Sequence, residues 1–193
     1  MYTNPSNLIK TLMNMLYENM DVINPVIQEY IPGRVLTIFE GMRKSLPREA
    51  FPSLEIEPQS GSNQWATTRA QRPRYNFQCT LTAINDNEDY GVEYISTIAV
   101  RIVELMTDPT NLQMRVLNET IWDPNAGLVD TVITDSFVED VSYNASKDGT
   151  VRTAEWPWFA LIHEPYPESK WKVSGPCHLS MPTLIKPDII TVP

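Results

Sequence analysis

The sequence predicts a domain of the α/β (α+β) class, and three stretches carry that prediction. Residues 74–83 alternate strictly between apolar and polar side chains, as a strand with one buried face does. Residues 90–106 repeat apolar side chains at steps of three and four, which is the pattern of an amphipathic helix. Residues 128–164 contain two apolar stretches around a turn at 144–149, which indicates a β-hairpin. A helix of this kind needs a sheet to pack against, and the strands supply it.

The central strand and the helix after it each have a clear apolar face. Residues 85–89 are rich in Asn and Asp and suit the positive end of a helix, while Asp108-Pro109 ends the helix. The strand is expected to bury Tyr75, Phe77, Cys79, Leu81 and Ala83. The helix is expected to bury Ile95, Ile98, Ala99, Ile102, Val103 and Met106.

The N-terminal residues predict another helix. Asn4 is a capping residue and Pro5 occupies the first helical position. The stripe behind them is a core face rather than an adaptable methionine-rich surface; it comprises Ile9, Leu12, Met13, Leu16 and Met20. Asn24-Pro25 and Pro32-Gly33 are helix breakers, so we expect only one helical turn between them.

The following stretches give weaker signals. Residues 34–44 fit both a strand and a helix, and their β-branched side chains favour extended structure. Residues 53–57 alternate as a short strand closed by Pro58, and 59–63 predict a loop. Residues 111–117 predict a further helical turn.

The predicted hairpin has apolar side chains on both faces of its second strand. Its first strand loses alternation near Asp135-Ser136, which predicts a bulge or a bend between two strands. The second strand places Ala154, Trp156, Trp158, Ala160 and Ile162 on one face, and Phe159 and Leu161 on the other. We therefore expect cover on both faces, and a neighbouring subunit could supply one cover.

Residues 165–193 differ in composition from the rest of the chain. Six of these 29 residues are proline, so the segment cannot build a core and is expected to be extended. It also carries many large apolar side chains, unlike a disordered linker. We divide the chain into a domain at 1–164 and an arm at 165–193, which lies along its own domain or along another subunit by strand addition.

Composition excludes several classes of protein. The 193 residues carry a net charge of −9 with 42% hydrophobic residues, which argues against both a disordered chain and a free-standing nucleic-acid binder. Arg69, Arg72 and Arg74 near Trp65 could contact nucleic acid, but an exposed strand end or a subunit contact suits an acidic protein better. No signal pattern or apolar run near the roughly 20 residues of a membrane span is found. Two cysteines suit a reducing compartment.

The sequence carries no recognisable catalytic or metal-binding motif. The glycines are isolated, so no phosphate-binding loop is formed. Residues 85–96 lack the glycine and the acidic side chain that a calcium loop requires. Cys79, Cys177 and His178 lack the paired spacing of a zinc site, and His163 is expected to be a hydrogen-bonded surface or interface residue. We predict no enzyme, no cofactor and no metal.

The order of elements resembles a known family. An N-terminal helix, a short strand at 51–56, the strand at 74–83, the helix at 90–106 and the hairpin at 128–164 follow one another, with Asp135-Ser-Phe-Val-Glu-Asp-Val-Ser-Tyr143 and Arg152-Thr-Ala154 inside the hairpin. This order resembles the tail-terminator (tail-completion) proteins of tailed bacteriophages over residues 5–164. The proline-rich arm departs from many such proteins.

The resemblance implies a fold, an assembly and a location. It implies a twisted, largely antiparallel sheet packed by two helices, and a ring of six copies at the head-proximal end of the tail tube. Such a ring ends tail growth and joins the tail to the neck and head. Its partners would be the tail tube protein, sheath and neck or connector proteins, in a virion assembled in the host cytoplasm. DNA would be only passing cargo, which an acidic lumen would repel.

We expect contacts between copies, or with a tube, from nine side chains: Arg69, Arg72, Arg74, Trp156, Trp158, Trp171, Leu179, Leu184 and Ile189. Three alternatives stay open. The chain could be another neck, connector or tube-end protein of similar fold, a small soluble enzyme with an unrecognised site, or a monomeric module that binds a partner through its arm.

Overall fold

The computed structural model describes residues 3–43, 45–67, 70–84, 91–108, 114–123, 127–146 and 149–165. These ranges contain three α-helices, which are α1 (Pro5–Glu18), α2 (Met20–Tyr30) and α3 (Gly91–Thr107), and a 3-10 helix at Arg48–Ala50. They also contain seven strands: β1 (Thr37–Glu40), β2 (Ser53–Thr67), β3 (Ala70–Ile84), β4 (Arg115–Asp123), β5 (Gly127–Val138), β6 (Ser142–Ala145) and β7 (Val151–Pro165).

The strands form one sheet in the order β1-β2-β3-β7-β5-β4, and β6 pairs with β7 beyond the end of β5. Only the β1–β2 pair is parallel among the described strands; the other pairs are antiparallel. The predicted mixed class and the largely antiparallel sheet are confirmed. The described residues contain three α-helices where two were expected, because the segment after α1 continues as α2.

One core joins the helices to the sheet. The predicted face of β3 is confirmed, since Tyr75, Phe77, Cys79, Leu81 and Ala83 are all buried. The stripe of α3 is also buried, apart from the partly buried Val103. Leu8, Leu12 and Leu16 of α1 belong to the same cluster. The stripes that the sequence shows at helical and strand spacing therefore meet in one apolar layer.

Helix α1 contacts both edge strands of the sheet. Asn4 caps its N-terminus, with the side-chain oxygen accepting the Ser6 N–H at 3.0 Å. Along β4, the Leu117 N–H donates to Thr11 Oγ1 at 3.0 Å. Along β1, the Tyr17 hydroxyl donates to the Ile38 carbonyl at 3.4 Å. The sheet curls so that its two edges meet the same helix, and helix side chains satisfy backbone groups that edge strands leave unpaired.

The prediction of a break at Asn24-Pro25 is wrong, because α2 runs through Pro25 from Met20 to Tyr30. Proline removes one helical hydrogen bond. Ile23 and Ile27 on either side of it are fully buried, and the Asn24 side chain accepts the Leu36 N–H at 3.1 Å. Packing of this apolar face stabilises the helix despite the proline.

The predicted loop at 59–63 and the predicted helical turn at 111–117 are also corrected. Strand β2 continues past Pro58 to Thr67, with a register shift between Pro58 and Ser60 that accommodates the proline. Residues 115–117 belong to β4, and 111–113 lie outside the described ranges. Asn118 has a φ of 59°, and the β4–β5 register shifts nearby, which explains why the alternation is unclear there.

Other weak signals are confirmed. Residues 37–40 are extended as β1. The register of β5 shifts between Ile133 and Asp135, and β6 follows as a separate strand, so both a bulge and a bend are present. Gly149 has a φ of 72°, as the predicted hairpin turn requires. The cap predicted at 85–89 lies outside the described residues.

Candidate assembly surfaces

The two tryptophans of β7 belong to the core and not to a contact surface. Trp156 and Trp158 are each 0% exposed within a single chain, on the face that the helices cover. Trp158 packs against Phe77 with ring centroids 5.1 Å apart. The prediction that these side chains contact a neighbouring copy is therefore corrected: the core of their own chain already buries them. Periodicity identified the right face but not what covers it.

The opposite face of β7 carries an aromatic and cationic stack. Phe159 of β7 and Phe137 of β5 are directly opposite in the register, with ring centroids 4.7 Å apart and an interplanar angle of 18°. The Arg74 guanidinium of β3 lies 4.1 Å from the Phe159 ring centroid and 5.0 Å from that of Phe137. This stack covers Phe159, which is buried although the described helices pack against the opposite face.

Arg74 is held more by these rings than by an ion pair. Its nearest carboxylate, Glu139, is 3.9 Å away, and the two side chains are 33% and 57% exposed. Such an exposed pair contributes little. The Arg74 Nε is buried with no hydrogen-bond acceptor among the described residues. A planar guanidinium therefore sits against apolar rings, and its predicted contact with a tube or a neighbour stays a prediction.

The remaining predicted contact residues are placed only in part. Arg72 lies on β3 opposite Gln64 of β2. Arg69 lies outside the described residues, and so do Trp171, Leu179, Leu184 and Ile189 of the arm. His163 lies on β7 opposite Val132, and Cys177 and His178 are also outside the described ranges.

One exposed apolar side chain was missed by the sequence analysis. Leu128 is the second residue of β5 and is 76% exposed, the highest exposure among the large apolar side chains that the structure describes. It lies opposite Trp122 in the register. A large apolar side chain is therefore exposed near the start of β5. It is a candidate contact for another chain.

The edge of β2 is covered along only part of its length. Strand β1 pairs with Ser53–Ile56, and the Gly41 N–H donates to the Ile56 carbonyl at 2.8 Å. From residue 57 to residue 67, β2 pairs with β3 on one side, and no described strand pairs with its other side. This stretch, which we call the open edge, is the longest uncovered strand edge of the described sheet.

The described residues show little that resembles a reactive centre. Burial raises the pKa of the Cys79 thiol far above its usual range, so this cysteine is an unreactive core residue. Burial also raises the pKa of Tyr94 to about 12, against a smaller opposing effect of the Arg34 charge. Within the described ranges, no group of three His, Cys, Asp or Glu side chains is arranged to hold a metal ion. No helix in those ranges combines the length and apolar character that crossing a bilayer requires.

Comparison with known proteins identifies a shared fold. No protein-family model matches the chain, and no curated protein matches it. Among solved structures, the chain is similar to one in the structure titled "Virion of native gene transfer agent (GTA) particle". The TM-score is 0.55 at 10% sequence identity, and the match covers 85% of this chain and 100% of that chain. At this identity the likeness concerns the fold.

Proposed function

We propose that this protein is a structural component of a phage-like virion that forms a ring, of six copies, at the head-proximal end of the tail tube. There it ends tail growth and joins the tail to the neck and head, as a tail terminator does. The observation that carries the proposal is the fold shared with a chain of a gene transfer agent virion over that chain's whole length. The order of elements that the sequence alone predicts supports the same assignment.

The surfaces of the chain suit assembly with copies of itself. The open edge offers backbone groups that a further strand can pair with, and Leu128 near the start of β5 exposes an apolar side chain. Head-to-tail contacts between such unlike surfaces close into a ring when the rotation between subunits allows. The ring would dock on the tail tube protein and bind neck or connector proteins, with a sheath around contractile tails.

The charge of the chain suits a ring through which DNA passes. The net charge of −9 disfavours adhesion to a polyanion. On the sheet face turned away from the helices, Glu55 accepts the backbone N–H of Arg43 and Glu57 accepts that of Met42, each at 2.9 Å. On the same face, the Arg74 guanidinium packs against aromatic rings. A face of this composition would let DNA slide past without holding it.

Electron microscopy of particles made without this protein tests the proposal. We expect tails of uncontrolled length that lack heads, and restoration of normal particles when the wild-type protein is supplied. Tails of normal length that fail to join heads would instead assign the protein to another position in the neck. Normal particles in normal yield would overturn the proposal altogether.

A further inference from the structure

We propose that the arm (165–193) of each copy adds a strand, through residues after Pro165, to the open edge of β2 in a neighbouring copy. The inference rests on the proposed ring in one respect, because it requires a second copy. The occupant of the open edge is the arm of a neighbouring copy.

The open edge carries the features by which proteins usually protect an uncovered strand only near its ends, where Glu57, Pro58 and two register shifts lie. Edge strands are commonly protected by charged side chains, prolines or bulges. Residues 59–67 contain no charged residue and no proline. Register shifts occur between Pro58 and Ser60 and between Trp65 and Thr67, so the regular stretch between the bulges is Ser60–Trp65. A six-residue edge with regular backbone spacing is therefore available to a strand of about the same length.

One stretch of the arm matches this edge in length and pattern. Prolines interrupt a strand because they lack the N–H that the ladder needs. Between Pro167 and Pro176 the arm has eight proline-free residues, Glu168–Gly175, its longest such stretch. Within it, Lys170, Trp171, Lys172 and Val173 alternate polar and apolar side chains, as a half-covered strand does.

Charge favours the same pairing. Residues 1–165 contain 12 basic and 22 acidic residues, a net charge of −10, whereas residues 166–193 contain three basic and two acidic residues. Two of those basic residues, Lys170 and Lys172, lie in the matching stretch. An acidic body therefore attracts the part of the arm that fits its edge.

The exit of the chain from the sheet directs the arm away from its own β2. Pro165 pairs with Ala70, the first residue of β3, and Ala70 pairs with Thr67, the last residue of β2, so β7 ends level with these two strand ends. Proline favours an extended backbone in the residue before it, so we expect Pro165 and Pro167 to carry the chain past these strand ends. The 28 residues that follow Pro165 can span up to about 90 Å, against a radius of gyration near 15 Å for a domain of this size. The arm can therefore reach a neighbouring copy.

Cross-linking between two differently marked copies tests the inference. In a Cys177→Ser background, one full-length protein carries Ser62→Cys on the open edge and the other carries Val173→Cys on the arm. Buried Cys79 stays unreactive in both. The two are mixed under ring-forming conditions and treated with a short bismaleimide, which tolerates small differences in register. We expect a product of about 44 kDa, twice the 22.0 kDa chain. A matched control replaces Ser62→Cys with Asn14→Cys on the exposed face of α1, and should give at least tenfold less product.

A second pair of variants separates strand addition from mere proximity. Lys172→Pro removes a ladder donor from the matching stretch and should reduce the 44 kDa product at least tenfold, whereas Ser180→Pro should leave it unchanged. Rings that form without the cross-linked product would overturn the inference but not the proposal of a ring. When both cysteines are in one chain, a cross-linked product of monomer size within rings would show docking in the same copy and also overturn it. A chain that stays monomeric both in solution and on tail tubes would overturn the ring and the inference together.

Discussion

Glu40 and Glu119 lie on opposite edge strands of the sheet, yet both accept hydrogen bonds from the first turn of α1. Glu119 Oε1 accepts the Asn4 N–H at 3.0 Å and the Asn7 side-chain amide at 2.9 Å, and Glu40 accepts the Ser6 hydroxyl. Two carboxylates at the positive end of a helix also complement its dipole. The helix thus fastens together two edges that are far apart in the strand order.

Removing the Glu119 carboxylate should weaken the attachment of α1 to the β4 edge and lower the stability of the fold. Glu119→Ala deletes the acceptor of two hydrogen bonds at a helix N-terminus, and we expect a loss of about 1–2 kcal/mol in the free energy of unfolding. Urea denaturation measures it. The control is Glu104→Ala, which breaks only the exposed 2.8 Å pair with Arg101 and should cost less than about 0.5 kcal/mol. Equal effects of the two changes would show that the hydrogen bonds of Glu119 to α1 do not stabilise the fold.

Replacing Arg74 should test its stack with the aromatic rings. Arg74→Met keeps the length of the side chain but removes the guanidinium over Phe159 and Phe137, and should cost about 1 kcal/mol. The change Glu139→Gln should leave stability within about 0.5 kcal/mol, because the 3.9 Å pair is exposed. If Glu139→Gln costs as much as Arg74→Met, the ion pair and not the stack holds the arginine.

Cys79 should make the free energy of unfolding depend on pH in the alkaline range. Burial raises the pKa of its thiol, so the folded chain keeps a proton that the unfolded chain loses above pH about 8.5. The free energy of unfolding should be unaffected by this group below that pH and should fall above it, by up to about 1.4 kcal/mol per pH unit. Urea denaturation between pH 7.5 and 9.5, in the Cys177→Ser background, measures the slope. The matched variant Cys79→Ala should lose it, and a slope that persists there would assign it to another group.

Removing the Tyr94 hydroxyl should not harm the fold. This hydroxyl is buried and has no hydrogen-bond partner among the described residues, while the ring packs against Tyr30 at 5.2 Å between centroids. Tyr94→Phe keeps the ring and should leave stability unchanged or raise it by up to about 1 kcal/mol. It should also remove the loss of stability expected above pH 10, where the unfolded tyrosine ionises but the folded one, with a pKa of about 12, does not. Destabilisation by more than about 1 kcal/mol would reveal a partner for the hydroxyl.

Substitutions at Trp158 and Leu128 should distinguish a residue that stabilises the fold from one that contacts another copy. Trp158→Ala opens a cavity in the core and should cost about 3–5 kcal/mol of stability. Leu128→Ser changes an exposed side chain and should leave the urea midpoint unchanged while it weakens association of copies in sedimentation experiments. If Leu128→Ser assembles like the wild type, the start of β5 lies outside the contact.

Elements whose structure is decided by a local pattern are predictable from the sequence. The alternation in β3 and the apolar stripe of α3 each identify an element and its buried face, because period two and period 3.6 differ clearly over ten or more residues. The bulge at Asp135 is visible for the same reason, since one extra residue interrupts the alternation.

The misses have long-range causes. Pro25 and Pro58 are local breakers, but burial of Ile23 and Ile27 maintains α2, and pairing with β3 maintains β2 through a bulge. The pattern of β7 showed two apolar faces without showing that α-helices of the same chain cover Trp156 and Trp158. The hydrogen bonds of Glu119 to α1 join residues more than 100 positions apart, and no local pattern predicts them.

Cryo-electron microscopy of purified particles would show where this chain lies in the virion and in how many copies. We expect a single ring of six copies at the head-proximal end of the tail tube, with β2 of each copy facing its neighbour. Particles that contain no copy of the chain, or that carry it as isolated subunits away from the tube end, would contradict this expectation.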